Sequence, residues 1–315
     1  MGTLEKVLNA ECAGELFSRD SIKKQYREML REIHPDICKD ARAKEATEKL
    51  IELYERGIKG EWYTGATIIK NSKTGKRYRI KPIKEYDIGV GKMYLTKRYI
   101  IIEIERETYK GRGNKEMESI SGLGSLPVIK YEDWGNGITV IERGEYIPLR
   151  EFWNNYRHRI HAKVCAWIVT RLLSYACGLK MLGLVHCNIT IDSVVVDAGR
   201  HGVKLCGGWC YCVKVGHKMI GTTQEVYRVM SPISKRDKKA RFSTDIESIK
   251  ALALRLMGCN SRICSTSVPV PIMEFLRSCS SENAIEELEK WETALKDSWG
   301  ARKFVVVDPK MGEIH

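Results

Sequence analysis

Four groups of residues in this chain have types and spacings that could do chemistry. At His34-Pro35-Asp36 an imidazole and a carboxylate flank a proline, whose ring fixes its own φ and stiffens the stretch between them. A polar loop, His186-Cys187-Asn188-Ile189-Thr190-Ile191-Asp192-Ser193, runs into the apolar Val194-Val195-Val196-Asp197, and Val203-Lys204-Leu205-Cys206-Gly207-Gly208-Trp209 follows. Carboxylates and an imidazole are side chains that can take part in acid–base chemistry. Between Lys70 and Lys84 seven cations meet no acid: Lys70, Lys73, Lys76, Arg77, Arg79, Lys81 and Lys84. Finally, Cys206, Cys210 and Cys212 lie near His186, Cys187 and His217, donor types that hold zinc when their spacing is right.

The elements that must position these groups follow from the patterning. The length of 315 residues suits about two domains, and 43% hydrophobic with 30% charged residues supports real cores without a disorder signature. Residues 1–60 carry twelve basic and twelve acidic side chains, whereas residues 61–110 carry twelve and six. The charge step predicts a module boundary near Gly57 to Gly60. Residues 3–57 read as helical, and Ser21 to Ile33 puts Ile22, Tyr26, Met29, Leu30 and Ile33 on one face with Lys23, Arg27 and Arg31 on another, Lys24 beside them. Asp20 is the expected N-cap, and Pro35 ends the helix by restricting His34. Ala46, Leu50, Leu53 and Tyr54 repeat at helical spacing in a second helix.

Strand patterning then takes over: Ala66–Lys70 and Lys76–Ile80 around an Asn71–Gly75 turn, Tyr99–Ile104, and two short strands within 126–142 around Trp134–Gly137. After Pro148 the chain reads as mainly helical, with a β-rich interruption from Val194 to Val215. Strands first and helices second predict an α+β body. The apolar stretch Ala162 to Val185 contains Lys163, Arg171 and Lys180, so it is not expected to span a membrane. Met1 to Lys6 has no apolar signal-peptide core, and the last four residues no prenylation cysteine, so neither export nor lipid anchoring is expected. Eleven cysteines, an odd set, fit a reducing, cytoplasmic setting.

The segment Leu4 to Gly57 resembles the J-domain of the DnaJ co-chaperones: a short helix, a basic second helix, a His-Pro-Asp loop and an antiparallel third helix. The resemblance implies that His34, Pro35 and Asp36 trigger ATP hydrolysis by a DnaK-type chaperone ATPase and that Lys23, Lys24, Arg27 and Arg31 steer it in. One departure is the first helix, Leu4 to Leu8, which lacks the family's usual aromatic residue.

From Glu61 to Gly300, most clearly after Trp167, the chain resembles the protein kinases. The resemblance implies a small lobe over 61–148 and a large lobe over 149–315. It places Leu126–Tyr131 and Ile138–Arg143 as the last small-lobe strands and Ser243-Thr244-Asp245-Ile246 at the start of a buried supporting helix. It also exposes what is missing. Asn188 stands at the catalytic Asp, Ser193 at the metal-binding Asn, and Gly207 at the metal-binding Asp. Glu103 or Glu105 stands where a phosphate-pairing Lys belongs, and only Gly89 and Gly91 remain of the phosphate loop, with Tyr94 at the third glycine. His186 and Asp245 are kept and are expected to brace the loop.

The chain therefore reads as a multidomain α and α+β protein: an all-helical J-domain over 1–60 and a bilobal kinase-like domain over 61–315 that transfers no phosphoryl group and grips a client. No cofactor or metal is expected. A rival is a divergent active kinase using Asp192 or Asp197 as metal ligands. A second is a nucleic-acid-binding protein using the 70–84 hairpin, with Trp62, Tyr63 and Tyr78 to stack on bases; lysines blunting an exposed strand edge are the plainer account. For the cysteines, the missing Cys-x-x-Cys spacing, and strand alternation sending Cys210 and Cys212 to one face, favour buried, inert thiols.

Overall fold

The computed structural model describes residues 2–10, 12–18, 21–59, 67–121, 129–259, 268–300 and 307. The expected boundary at residue 60, Asp20, Trp62 and Tyr63 lie outside these. By internal contacts the chain divides into two compact units, Met1–Asp87 with Lys92–Ile101, and Ile88–Gly91 with Ile102–Ile314.

The first unit opens with helices α1 (Thr3–Asn9), α2 (Ala13–Leu16), α3 (Ile22–Ile33) and α4 (Ala43–Ile58). The apolar face read from α3 is the face that packs: Ile22 and Ile33 are buried, and Tyr26, Met29 and Leu30 lie against Val7, Leu16, Phe17, Ala46, Leu50 and Leu53. Tyr26 stacks on Tyr54 at 4.1 Å between ring centroids, and the Thr47 hydroxyl donates to the Ile33 carbonyl at 3.3 Å. Those two contacts make α3 and α4 antiparallel. The short first helix is held without an aromatic of its own. Val7 is fully buried, Lys49 Nζ donates to the Leu8 carbonyl, and Arg42 bridges Glu5 and Asp40.

A two-stranded ribbon follows, β1 (Thr67–Lys70) antiparallel to β2 (Arg77–Ile80). Among the strands β3 (Lys84–Asp87), β4 (Gly91–Leu95), β5 (Tyr99–Ile104), β6 (Tyr131–Gly135) and β7 (Ile138–Glu142), β3 pairs antiparallel with β4, and β6 antiparallel with β7. Helix α5 (Arg112–Ser121) connects β5 to β6. Of the strand expected at Leu126–Tyr131, Ile129 and Lys130 are not in a strand and β6 begins at Tyr131; Asn114 Nδ2 donates to Asp133 Oδ1 within it, which also accepts from the Gly135 N–H. Residues 126–128 are outside the described residues.

The second unit continues through β8 (Ile147–Pro148), α6 (Leu149–Asn155), α7 (Ala162–Met181), β9 (Leu184–Val185), β10 (Val194–Asp197), β11 (Gly202–Leu205) and β12 (Val213–Lys214). It ends with α8 (Gln224–Val229), α9 (Pro232–Asp237), α10 (Phe242–Leu256), α11 (Val270–Arg277) and α12 (Ala284–Trp299). Helix α7 is long and apolar enough to cross a membrane by length and composition, but it packs between α10 and α12 with Leu172, Leu173 and Ile168 buried. The Trp291 indole of α12 reaches it and donates to Thr170 Oγ1 at 2.9 Å.

Leu50→Ala, deep in the helical core, is expected to lower stability by about 2–5 kcal/mol, whereas Ile51→Ala, one residue on and exposed, stays within about 0.5 kcal/mol. Urea unfolding followed by far-UV circular dichroism checks both.

Candidate functional site

At the end of α3 the chain leaves the helix through His34, and Pro35, Asp36 and Ile37 form an exposed turn before α4. The Asp36 N–H donates to His34 Nδ1 at 3.3 Å, and Asp36 Oδ2 lies 3.4 Å from the same nitrogen. The elbow is thus locally closed on itself while both polar side chains face solvent. Lys23, Lys24, Arg27 and Arg31 are exposed along α3, and Ile37, 66% exposed, adds an apolar surface beside the turn.

In the second unit, the loop after β9 is set by a buried carboxylate. Asp245, in the first turn of α10, accepts from the backbone N–H of His186 (2.7 Å) and of Cys187 (2.8 Å). Burial pushes this carboxyl up to about 7, opposed by the two N–H groups that favour the anion. His186 itself is fully buried, with its ring edge-on to Trp209 at 4.8 Å. The two ring nitrogens face the Gly207 and Asn188 backbone without completing a hydrogen bond, and burial lowers the imidazole to about 3. It braces the loop through its backbone and its shape, as a neutral ring.

Asn188 is buried, and its Oδ1 accepts from the Thr223 hydroxyl at 2.8 Å; the neighbouring Thr222 hydroxyl donates to the Cys187 carbonyl. An amide in that place cannot take up a proton at neutral pH. The Ser193 hydroxyl is consumed inside the loop, accepting from the Thr190 N–H at 2.8 Å and donating to its carbonyl at 3.0 Å. Of the two rival carboxylates, Asp192 is clamped by Arg150 through two bonds of 2.6 Å. Asp197 is buried and accepts from the Arg200 N–H in the β10–β11 turn. The threonine pair and Arg150 were not singled out from the sequence. The adjacent hydroxyls at Thr222-Thr223 were a visible signal, whereas a pair 42 residues apart had none.

Gly89 and Gly91 make a tight reversal. The Ile88 N–H donates to the Gly91 carbonyl at 3.0 Å, Val90 is buried, and its carbonyl accepts from the N–H groups of Glu105 and Arg106. A β-carbon on Gly91 would collide with the Glu103 carbonyl oxygen, so close backbone approach demands glycine here. Glu103 is on β5, half-buried.

Gly207 and Gly208 border a cavity of about 30 Å³ with Ile102, Ile104, Met117 and Thr139, room for about two water molecules. A β-carbon on Gly207 would meet nothing nearer than 3.5 Å, but at Gly208, with φ +78°, it would lie 2.8 Å from His186 Cε1 and 2.9 Å from Asn188 Nδ2. Helix α5 packs on the turn that comes after, where Gly113 lets it approach the Cys210 backbone and Trp209.

Trp209–Tyr211 is a 3-10 turn, so the strand alternation expected for Cys210 and Cys212 does not apply. Both are buried all the same, with Cys187 and Cys206, and burial raises all four thiols, Cys206 and Cys210 to about 12. Thiols so shifted stay protonated and are poor nucleophiles. Cys259 differs from the free thiols expected of a reducing setting: it is disulfide-bonded.

No family model matches this chain, and no curated protein does. Solved structures similar to it include vaccinia related kinase 3, at 12% identity and a TM-score of 0.48 over 75% of this chain and 91% of that one. The Cydia pomonella granulovirus kinase PK-1 is similar at 16% identity and 0.49, over 70% and 93%. The chain is thus a mixed α/β protein whose similar solved structures are protein kinases; with both scores under 0.5, the likeness stops at that coarse class of fold.

His186→Phe keeps the ring and loses no completed hydrogen bond. Because the folded protein refuses a proton that the unfolded imidazole accepts below about pH 6.5, wild-type stability is drained as the pH falls from there toward about 3. The variant lacks that drain. Urea midpoints are expected to match at pH 7.5 within about 1 kcal/mol and to favour the variant at pH 5; Asp245 acts in both proteins and cancels.

Proposed function

We propose that this protein is a J-type co-chaperone adaptor: its helical module docks on a DnaK-type ATPase and stimulates it, while a kinase-like body grips a client without transferring phosphate. The observation that carries this reading is the exposed His34-Pro35-Asp36 elbow between antiparallel α3 and α4, with four cations along the face of α3. A turn already closed on itself loses little entropy on docking, and a cationic helix speeds encounter with an acidic partner.

Support for a body without phosphoryl transfer comes from chemistry that is spoken for. Asn188 cannot act as base, the Ser193 hydroxyl is spent within its loop, Gly207 offers no ligand atom from a side chain, and Asp192 is neutralised by Arg150. Loss of an acid–base group alone costs about 10²–10⁴-fold. The α10 carboxylate that holds the loop after β9 supports the kinase-like reading of the body. Nothing in the geometry of Asp192 or Asp197 favours the active-kinase rival.

The test is single-turnover ATP hydrolysis by a DnaK-type ATPase with and without this protein. Stimulation is expected from the wild type and not from His34→Gln, with docking weakened about 30-fold, the equivalent of about 2 kcal/mol at a central contact. Stimulation by His34→Gln equal to the wild type rejects the reading. Lys23→Glu with Arg27→Glu is expected to slow association and flatten its salt dependence while the shape of α3 persists.

A further inference from the structure

The strongest feature that the proposed function leaves unused is the β1–β2 ribbon. Its register pairs Ile68 with Arg79 and Lys70 with Arg77, and Thr67 with Ile80 and Ile69 with Tyr78. Directly opposed residues share a face, so one face carries Ile68, Lys70, Arg77 and Arg79, and the other is the face on which Ile69 is buried. On the first face all four side chains are exposed, Ile68 at 65%. No acidic residue occurs in positions 66–83, and none of the three cations joins an ion pair among the described residues.

Lysines that merely blunt a strand edge do not need this arrangement. Lys70 and Arg77 sit directly across from each other, and like charges in that position destabilise the pair. Arg77 and Arg79, two residues apart on one strand, are spaced by about 6.6 Å of rise, similar to successive phosphates along one strand of a nucleic acid. The turn is set in advance as well: Asn71 Oδ1 accepts from the N–H groups of Lys73 and Thr74 at 3.0 Å each, and the Asn71 N–H donates to the Lys76 carbonyl at 2.8 Å. A cationic surface that keeps its self-repulsion and is rigid beforehand is complementary to a polyanion.

We propose that the outward face of the β1–β2 ribbon, through Lys70, Arg77 and Arg79, docks on the phosphates of double-stranded nucleic acid. A duplex fits better than a single strand because the outward face bears no aromatic ring. Tyr78 is on the opposite face, so unpaired bases would find no platform to stack on. A duplex keeps its bases stacked internally and asks only for cations on an element slim enough to follow a groove, and a two-stranded ribbon is slim enough for the major groove of DNA. The exposed Ile68 then meets sugar or thymine methyl groups between the charges. Duplex docking by the ribbon is independent of the co-chaperone reading.

The experiment measures anisotropy of a labelled 20-base-pair DNA duplex of mixed sequence with the full chain from 50 to 200 mM salt. Its arms are the single strand of the same sequence, phosphatidylserine–phosphatidylcholine vesicles and polyglutamate. The wild type is expected to bind the duplex more tightly than the other three. The triple variant Lys70→Gln, Arg77→Gln, Arg79→Gln is expected to flatten the log–log salt slope by about 2.7, or about 0.9 for each phosphate no longer neutralised. Without DNA that variant should melt no lower than the wild type, since a like-charge pair has gone. In the wild type, duplex should slow amide hydrogen exchange across residues 67–80, a readout that needs no variant. An unchanged slope in a folded triple variant, no protection of 67–80, or tighter binding to the single strand, the vesicles or polyglutamate overturns the proposal.

Discussion

A single carboxylate organises the loop that defines the larger unit. Asp245 is almost wholly buried, where an ionised group is costly unless donors surround it, and the two donors it finds are successive backbone N–H groups, those of His186 and Cys187. Meeting both at once forces the chain to turn sharply, and Cys187 is held at φ +61°, a conformation that costs a residue with a β-carbon about 1–2 kcal/mol. The strain is repaid in position. The Cys187 carbonyl is turned toward the Thr222 hydroxyl, the Asn188 side chain toward Thr223, and the His186 ring against Trp209. The segment from Gly221 to Thr223 and the turn at Trp209–Tyr211 are thus registered against the same loop.

The helical module is held differently. Its long helices are joined by interlocking apolar side chains, with Tyr54 serving both Tyr26, face to face, and Phe17, edge to face. Polar groups act at its margins. Arg42 reaches back to Glu5 in α1 and sideways to Asp40, so the chain leaving the elbow is tied to the first helix. Exposed ion pairs of this kind add little to stability, but they fix where the loop between α3 and α4 goes.

Much of this arrangement was legible in the residue pattern, and for a physical reason. Burial faces repeat with the period of the element, so the α3 stripe of Ile22, Tyr26, Met29, Leu30 and Ile33, the strand Tyr99–Ile104 and the turn after Asn71 could be read directly. Loop positions in the candidate site were legible as residue types and illegible as partners. That Asn188 stands opposite Thr223, or that Asp192 is taken by Arg150, depends on chain crossings 35 and 42 residues long, which no local pattern encodes. The inward turn of Val90 was hidden for another reason: a glycine pair flanking a valine reads equally well as an open phosphate loop or as a closed hairpin, and the choice is made by the Glu105 and Arg106 N–H groups on the neighbouring strand. At Trp209–Tyr211 a helical turn stands where alternation suggested a strand, since the left-handed Gly208 bends the chain first.

The adjoining glycines at 207 and 208 differ in what evolution could do with them next. A β-carbon added at 207 would meet the Asp192 carbonyl oxygen, Ile102 Cδ1 and Ser193 Cα at ordinary contact distances of 3.5 Å or more, so a substitution there starts without a clash. At 208 a β-carbon would strike the His186 imidazole and the Asn188 amide, and the backbone there is left-handed, where glycine alone is comfortable. A larger residue at 208 therefore demands that residues 186, 188 and 208 change together, a coupling that position 207 does not share.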